Sequence, residues 1–312
     1  MHIALIGSGN IGSLYGSNLA RIGEEVTMID VWEDHVCAMR DDGLQMSGLN
    51  GTFTANVNAS TGPEGVAPAD LAIICVNTYD TPDAAETASR ILKSDGYALT
   101  LQNGMGNLET LVNKLGEGRV MGGLTFHSGD LQSPGSVNHT NRGPTYLGEL
   151  NRSKSGRLAH IQERMEEAGM QPSVEDDIIT TIWSKFIHNC GINALCAITD
   201  LRPGHLSDVP DLDAFQTQII QETLALAAAS GIKLLDPDPV TTVKDYCRTK
   251  FHRVSMVQHL SRGRQTEIDA LNGYVARRSG ELGLSAPAND ALARLIKGLQ
   301  HVPQTEGTHV PE

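Results

Sequence analysis

Apolar and polar positions follow two periods along this chain, and its first half carries both. Four apolar residues in a row, residues 3–6, read as a strand buried on both faces. A helix-like run follows over 11–21, and Gly23 stops it. Residues 26–29 form a second buried strand, 32–40 a helix, and 43–57 a polar hairpin turning at Asn50 and Gly51. The next strand covers 71–76 and runs into Asn77, with a helix over 81–92 that has Pro82 near its first turn. Then come a strand at 97–101, a helix at 107–115 and a strand at 120–126. Residues 127–146 are polar and hold Pro134 and Gly135, which predicts a further hairpin before a last strand at 146–148. Strands alternating with helices predict a mostly parallel sheet.

From about residue 151 the pattern is helical only. Segments 155–168, 178–198, 211–230, 240–260, 266–282 and 289–300 all read as helices. Residues 303–312 have no apolar period and predict a disordered tail. The expected architecture is α/β: an N-terminal Rossmann-type doubly wound sheet over 1–150, with an all-helical C-terminal domain over 151–302.

Composition then removes several partners. A net charge of −13, with both signs mixed along the chain, speaks against nucleic acid and anionic membranes. No stretch reaches the ~18 apolar residues of a membrane span. Small anionic ligands stay open, because they need only a local positive site. The five cysteines, Cys37, Cys75, Cys190, Cys196 and Cys247, form no C-x-x-C pair. They read as free thiols, which fits the cytoplasm. The start has no charged n-region or cleavage site, so no leader peptide is expected.

Chemistry enters with the glycines. Gly7, Gly9 and Gly12 make G-x-G-x-x-G between the first strand and the first helix. Gly7 permits the tight turn, Gly9 lets backbone approach a pyrophosphate, and Gly12 lets helix and strand pack closely. The loop of Gly7, Ser8, Gly9, Asn10, Ile11 and Gly12 would set phosphates on free N–H groups of the helix start. Asp30 ends the second strand at the fingerprint spacing, where a carboxylate can accept from ribose hydroxyls. The competing readings are a helix cap for Asp30 and, for the whole motif, a doubly wound domain that binds nothing.

A second constellation lies far downstream. Lys185, Asn189 and Asn193 stand at i, i+4 and i+8, on one helix face, flanked by Ile182, Trp183, Phe186, Ile187, Ile192 and Leu195. A merely solvated face would carry more charge and fewer asparagines, which form helices poorly. Further on, Gly263 is expected to break a helix and Thr266 to cap the next. Glu267 would then be either a first-turn acid or a site residue. No Cys/His cluster has metal spacing, so no metal is expected.

Taken in order, five motifs make the chain recognisable. They are the glycine loop, the Asn103 to Gly106 loop, Pro134 with Gly135, Trp183 through Lys185 and Asn189 to Asn193, and Ser255 through Glu267 to Asn272 and Gly273. Over nearly its whole length the chain resembles the ketopantoate reductase family. That resemblance implies reduction of 2-dehydropantoate to pantoate, or of a related small 2-oxo acid, by hydride transfer from NAD(P)H. It makes Lys185 the general acid. Asn189 and Asn193 become substrate hydrogen-bonding residues, and Ser255 the partner of the substrate carboxylate. Asn103 would lie beside nicotinamide and substrate, and Glu267 at the cofactor–substrate junction, where it can pair with the lysine. A homodimer formed through the helical half is also expected.

The chain departs from the family pattern at four places. A basic residue after the second strand and a Lys after the 71–76 strand are usual in NADPH-using members; here those places hold Asp30 and Asn77. Asp30 would repel a 2′-phosphate and Asn77 lacks the charge of the usual Lys partner, so NAD is expected over NADP, with both residues among the cofactor contacts. Arg202 and Pro203 stand around the place of a usual Asn, and Gln258 with His259 replaces a usual Gln-Asp pair. These keep open an NAD-dependent D-2-hydroxyacid or sugar-acid dehydrogenase. A non-enzyme alternative is a catalytically silent dinucleotide sensor, which would need none of Lys185, Asn189, Asn193 and Glu267. His188 and His259 read as packing or local polar contacts.

Overall fold

The structure, a computed structural model, describes residues 1–301. The tail expected over 303–312 lies outside the described residues. The chain divides into a first compact unit, Met1–Ile182, and a second that begins at Trp183.

The first unit opens with β1 (His2–Ile6), α1 (Asn10–Arg21), β2 (Glu25–Ile29), α2 (Glu33–Asp42) and the short strands β3 (Leu44–Gly48), β4 (Phe53–Ala55) and β5 (Asn58–Ser60). It continues through β6 (Ala69–Ile74), α3 (Thr81–Ile91), β7 (Leu92–Thr100), α4 (Asn107–Leu115) and β8 (Val120–Thr125). Then come β9 (Ser128–Ser133), β10 (Ser136–Asn141), β11 (Thr145–Glu149), α5 (Gly156–Glu167) and β12 (Pro172–Val174). The main sheet runs β12-β11-β8-β7-β6-β1-β2-β5. The six strands from β8 to β5 are parallel; β11 joins β8 antiparallel. Counted along the chain, those six stand in the 3-2-1-4-5-6 order of a Rossmann sheet, whose switch point lies between β1 and β6.

β1 shows why an unbroken apolar run is required. Successive side chains point to opposite faces. Ile3 and Leu5 enter the core shared with Leu14 and Leu19 of α1, while Ala4 and Ile6 enter the one shared with α3 and α4. A second sheet, β4-β3-β10-β9, joins the two expected hairpins through a parallel β3–β10 pair. It also touches α1, which is buried continuously from Gly12 to Leu19.

The second unit is helical among the described residues. It takes the chain from within α6 (Ile178–Thr199) to α7 (Pro210–Ala229), α8 (Pro239–Arg248), α9 (Ser255–Ser261), α10 (Asn272–Glu281) and α11 (Pro287–Gln300). A Cβ on Gly191 would come 2.9 Å from Ile220, so α6 and α7 approach closely there, and Gln216 Nε2 donates to the Gly191 carbonyl at 3.1 Å.

Four expectations change. The first unit extends past residue 150, because β12 pairs with β11 and α5 buries Leu158, Ile161 and Met165 in the β1 core. The short strands β5 and β12 carry too few apolar residues to be seen by period. The helix expected over 240–260 is two helices, separated where Lys250 gives its carbonyl to Gly204 N–H at 2.8 Å. The helix expected over 266–282 begins only at Asn272. Thr266 instead bonds Gln300 Oε1, and Glu267 precedes a single tight turn, Ile268–Ala270.

Candidate active site

In the first unit the register sets the expected cofactor residues along one edge. Ile6 pairs with Ile29 and with Ile74, and Ile74 pairs with Thr100. Gly7, Asp30, Asn77 and Asn103 therefore all follow strands that end at the same carboxyl edge, at the switch point where doubly wound sheets bind ligands. Gly7 has φ +92°, and a Cβ there would lie 2.6 Å from Val76 N. A Cβ on Gly12 would lie 1.9 Å from the Gly7 carbonyl oxygen. A Cβ on Gly9 would meet nothing within 4 Å. Two glycines are thus demanded by packing, and the third borders open space.

α1 begins with no side-chain cap and no acid in its first turn. Its early N–H groups and the helix dipole favour an anion. Asp30 is held by two backbone donors, Ser8 N–H at 2.7 Å and Trp32 N–H at 3.0 Å. A carboxylate has further lone pairs for ribose hydroxyls. These features fit a dinucleotide: a cradle open at Gly9, an uncapped helix start and an oriented acid.

Sequence reasoning missed the residues that hold this edge together. Gln102 Nε2 donates to the Val76 carbonyl at 2.9 Å and to Thr81 Oγ1 at 2.8 Å. Asn107 accepts from Thr81 and donates to the Asn103 carbonyl, both at 2.8 Å. Asp80 was also missed; its carboxyl pKa is raised by burial, then by Asp83 and Asp30. Asp80 therefore lies in electrostatic reach of Asp30. None of these residues has a local sequence signal, since each acts on a partner across the sheet edge.

In the second unit, α6 carries Lys185, Asn189 and Asn193 at helical spacing, with Asn193 buried. Burial lowers the Lys185 ammonium pKa to about 8, against the Glu267 carboxylate, which pushes it up. The structure thus brings Glu267 into electrostatic reach of Lys185. α10 is tied to α6: Asn272 Nδ2 donates to the Cys190 carbonyl of α6 at 3.0 Å and to Asn289 Oδ1 at 2.9 Å. Phe186 packs edge-on against Tyr274, with ring centroids 5.9 Å apart. Ser255 is the exposed first residue of α9. His188 stacks edge-on with Tyr246, a packing contact.

Chemically, one unit offers an anion cradle with an oriented acid. The other offers a proton-bearing lysine of lowered pKa beside a carboxylate and two helix asparagines. The comparisons with known proteins agree in class. The chain matches the family described as ketopantoate reductase PanE/ApbA over residues 3–152, and its C-terminal domain over 177–300. A 2-dehydropantoate 2-reductase of Pyrococcus horikoshii is 35% identical over 298 residues, covering 95% of this chain and 97% of that one. The crystal structure of a PanE/ApbA family ketopantoate reductase from Ralstonia eutropha has a TM-score of 0.89 at 33% identity, covering 96% of this chain and 98% of that one. A ternary structure of D-mandelate dehydrogenase with NADH and anilino(oxo)acetate has a TM-score of 0.87 at 27% identity, with the same coverage.

Proposed function

The chain belongs to the ketopantoate reductase family of NAD(P)-dependent oxidoreductases, and from that footing we propose that it reduces a small 2-oxo acid with NADH preferred. The named candidate is 2-dehydropantoate, going to pantoate. The observation that carries the reading is Lys185, an ammonium of pKa about 8 beside Glu267 on the polar stripe of α6. Such a group is charged at neutral pH yet ready to give up its proton, as a general acid must be.

The residues divide the work. The bound dinucleotide supplies the hydride. Lys185 stabilises the charge developing on the carbonyl oxygen and delivers a proton to it. Asn189 and Asn193 hydrogen-bond the substrate, Ser255 receives its carboxylate, and Glu267 favours the charged form of the lysine. Gly7 to Gly12 hold the pyrophosphate, Asp30 the ribose, and Asn77 and Asn103 line the cofactor edge. A 2′-phosphate would meet Asp30 with Asp80 in electrostatic reach, which supports NADH over NADPH.

A second reading has one observation behind it. D-mandelate dehydrogenase, a similar fold, is seen with NADH and anilino(oxo)acetate, so a branched or aromatic 2-oxo acid is the alternative substrate. Cytoplasmic residence is supported by five free thiols, and a homodimer is to be read by light scattering. The test of the reading is Lys185→Ala. NADH binding, followed by fluorescence, should hold within a few-fold while turnover falls by about 10²–10⁴. Turnover equal to wild type would reject Lys185 as the acid.

A further inference from the structure

His35 is a fully buried histidine on α2 that none of the roles above uses. Both of its ring nitrogens are engaged. Nε2 lies 2.9 Å from the Ser8 carbonyl oxygen, and Nδ1 accepts the Gly135 N–H at 2.8 Å. A carbonyl can only accept and an amide N–H can only donate, so the partners assign the neutral ring with its proton on Nε2. Burial lowers its pKa in the same sense, with Asp30 opposing.

The Ser8 carbonyl takes a second donor, Ser13 Oγ at 2.6 Å. Two donors fix that carbonyl toward the protein interior. In a planar trans peptide the C=O of one residue and the N–H of the next point to opposite sides. The Gly9 N–H is therefore aimed away from His35 and Ser13. Gly9 is also the glycine whose missing side chain borders open space. The other side of the ring secures the Pro134–Gly135 turn, a motif that the catalytic roles leave unexplained. Gly135 has φ +72° and packs against Ala38 of α2.

We propose that His35 is a positioning residue for the dinucleotide loop: its neutral ring ties the turn at Gly135 to the Ser8 carbonyl and so aims the Gly9 N–H at the cofactor pyrophosphate. The proposal rests on the reading that this edge holds NAD(H). It carries a proton dependence. A proton added at Nδ1 would point one N–H at another, and the clasp would open. The charged group beside the ring is Asp30. The turn at 133–136 and the first turn of α1 carry no charged side chain, and Glu33 and Asp34 on the same helix are exposed.

The experiment titrates NADH by fluorescence into wild type, His35→Asn and His35→Gln between pH 5 and 8, each variant first checked by thermal melting. Asn keeps an acceptor for Gly135 but loses the donor to Ser8; Gln offers a donor to Ser8. The expected result is a dissociation constant raised about tenfold in His35→Asn at pH 7, and less in His35→Gln. Wild-type binding should weaken toward pH 5, with a smaller pH dependence in His35→Gln. If His35→Asn does not fold, His35→Gln decides by its pH profile. Variants that bind NADH within twofold of wild type, with the wild-type pH profile, overturn the role of His35 alone. Absence of NADH and NADPH binding by wild type overturns the cofactor reading and this role with it.

Discussion

Lys185 makes the sharpest residue-scale claim. Its pKa is lowered from 10.5 to about 8, so the native protein loses this proton earlier than the unfolded chain does. Reduction should be fastest below pH 8 and lose about tenfold per unit above it, because the acid form is then depleted. A turnover number flat to pH 10 would contradict this. Asp30 makes the second claim: Asp30→Ala should shift the NADPH/NADH ratio of kcat/KM toward NADPH by about tenfold, and an unchanged ratio would remove Asp30 from the ribose site. Both candidates stand out in the sequence, because a period or a motif spacing marks them. Gln102, Asn107 and His35 do not. His35 meets Gly135 a hundred positions later, and no local pattern encodes that pairing.

At the scale of elements, α10 is pinned to α6, the helix that carries Lys185. Asn272 is buried and bridges the Cys190 carbonyl to Asn289. Asn272→Ala should cost about 1–3 kcal/mol in urea unfolding, since the Cys190 carbonyl loses this donor. A loss below about 0.5 kcal/mol would show that Phe186 and Tyr274 suffice. Strands and helices with a strong period were readable, down to the hairpin turn at Asn50 and Gly51. The errors share one cause, tertiary contact overriding local pattern. Segment 249–254 is expected within a helix, yet the Lys250 carbonyl serves Gly204, and Phe251 would sit 2.4 Å from a Cβ on that glycine. Thr266 looked like the cap of a long helix; it donates to Gln300 and accepts from Ile268 N–H of a single turn. The parallel pairing of β3 with β10 joins segments about ninety residues apart, beyond any hairpin signal.

At the scale of the whole molecule, the first unit carries the glycine-loop edge and the second the Lys185 stripe, and composition alone foretold neither. Composition does bear on acid stability, through buried neutral histidines. His127 is held at about pKa 4 by burial, and His35 and His139 are lowered for the same first cause. Below pH 6.5 the unfolded chain takes up protons that the native one refuses, so stability must fall as pH drops from 6.5 toward 4. A melting temperature that is level or rising over that range would refute this. The most direct test of the central claim is one assay: initial rates with NADH and with NADPH against 2-dehydropantoate and branched or aromatic 2-oxo acids. The account predicts turnover of at least one 2-oxo acid, faster in kcat/KM with NADH. No turnover of any 2-oxo acid with either cofactor, despite tight NADH binding, would contradict it and leave a dinucleotide sensor.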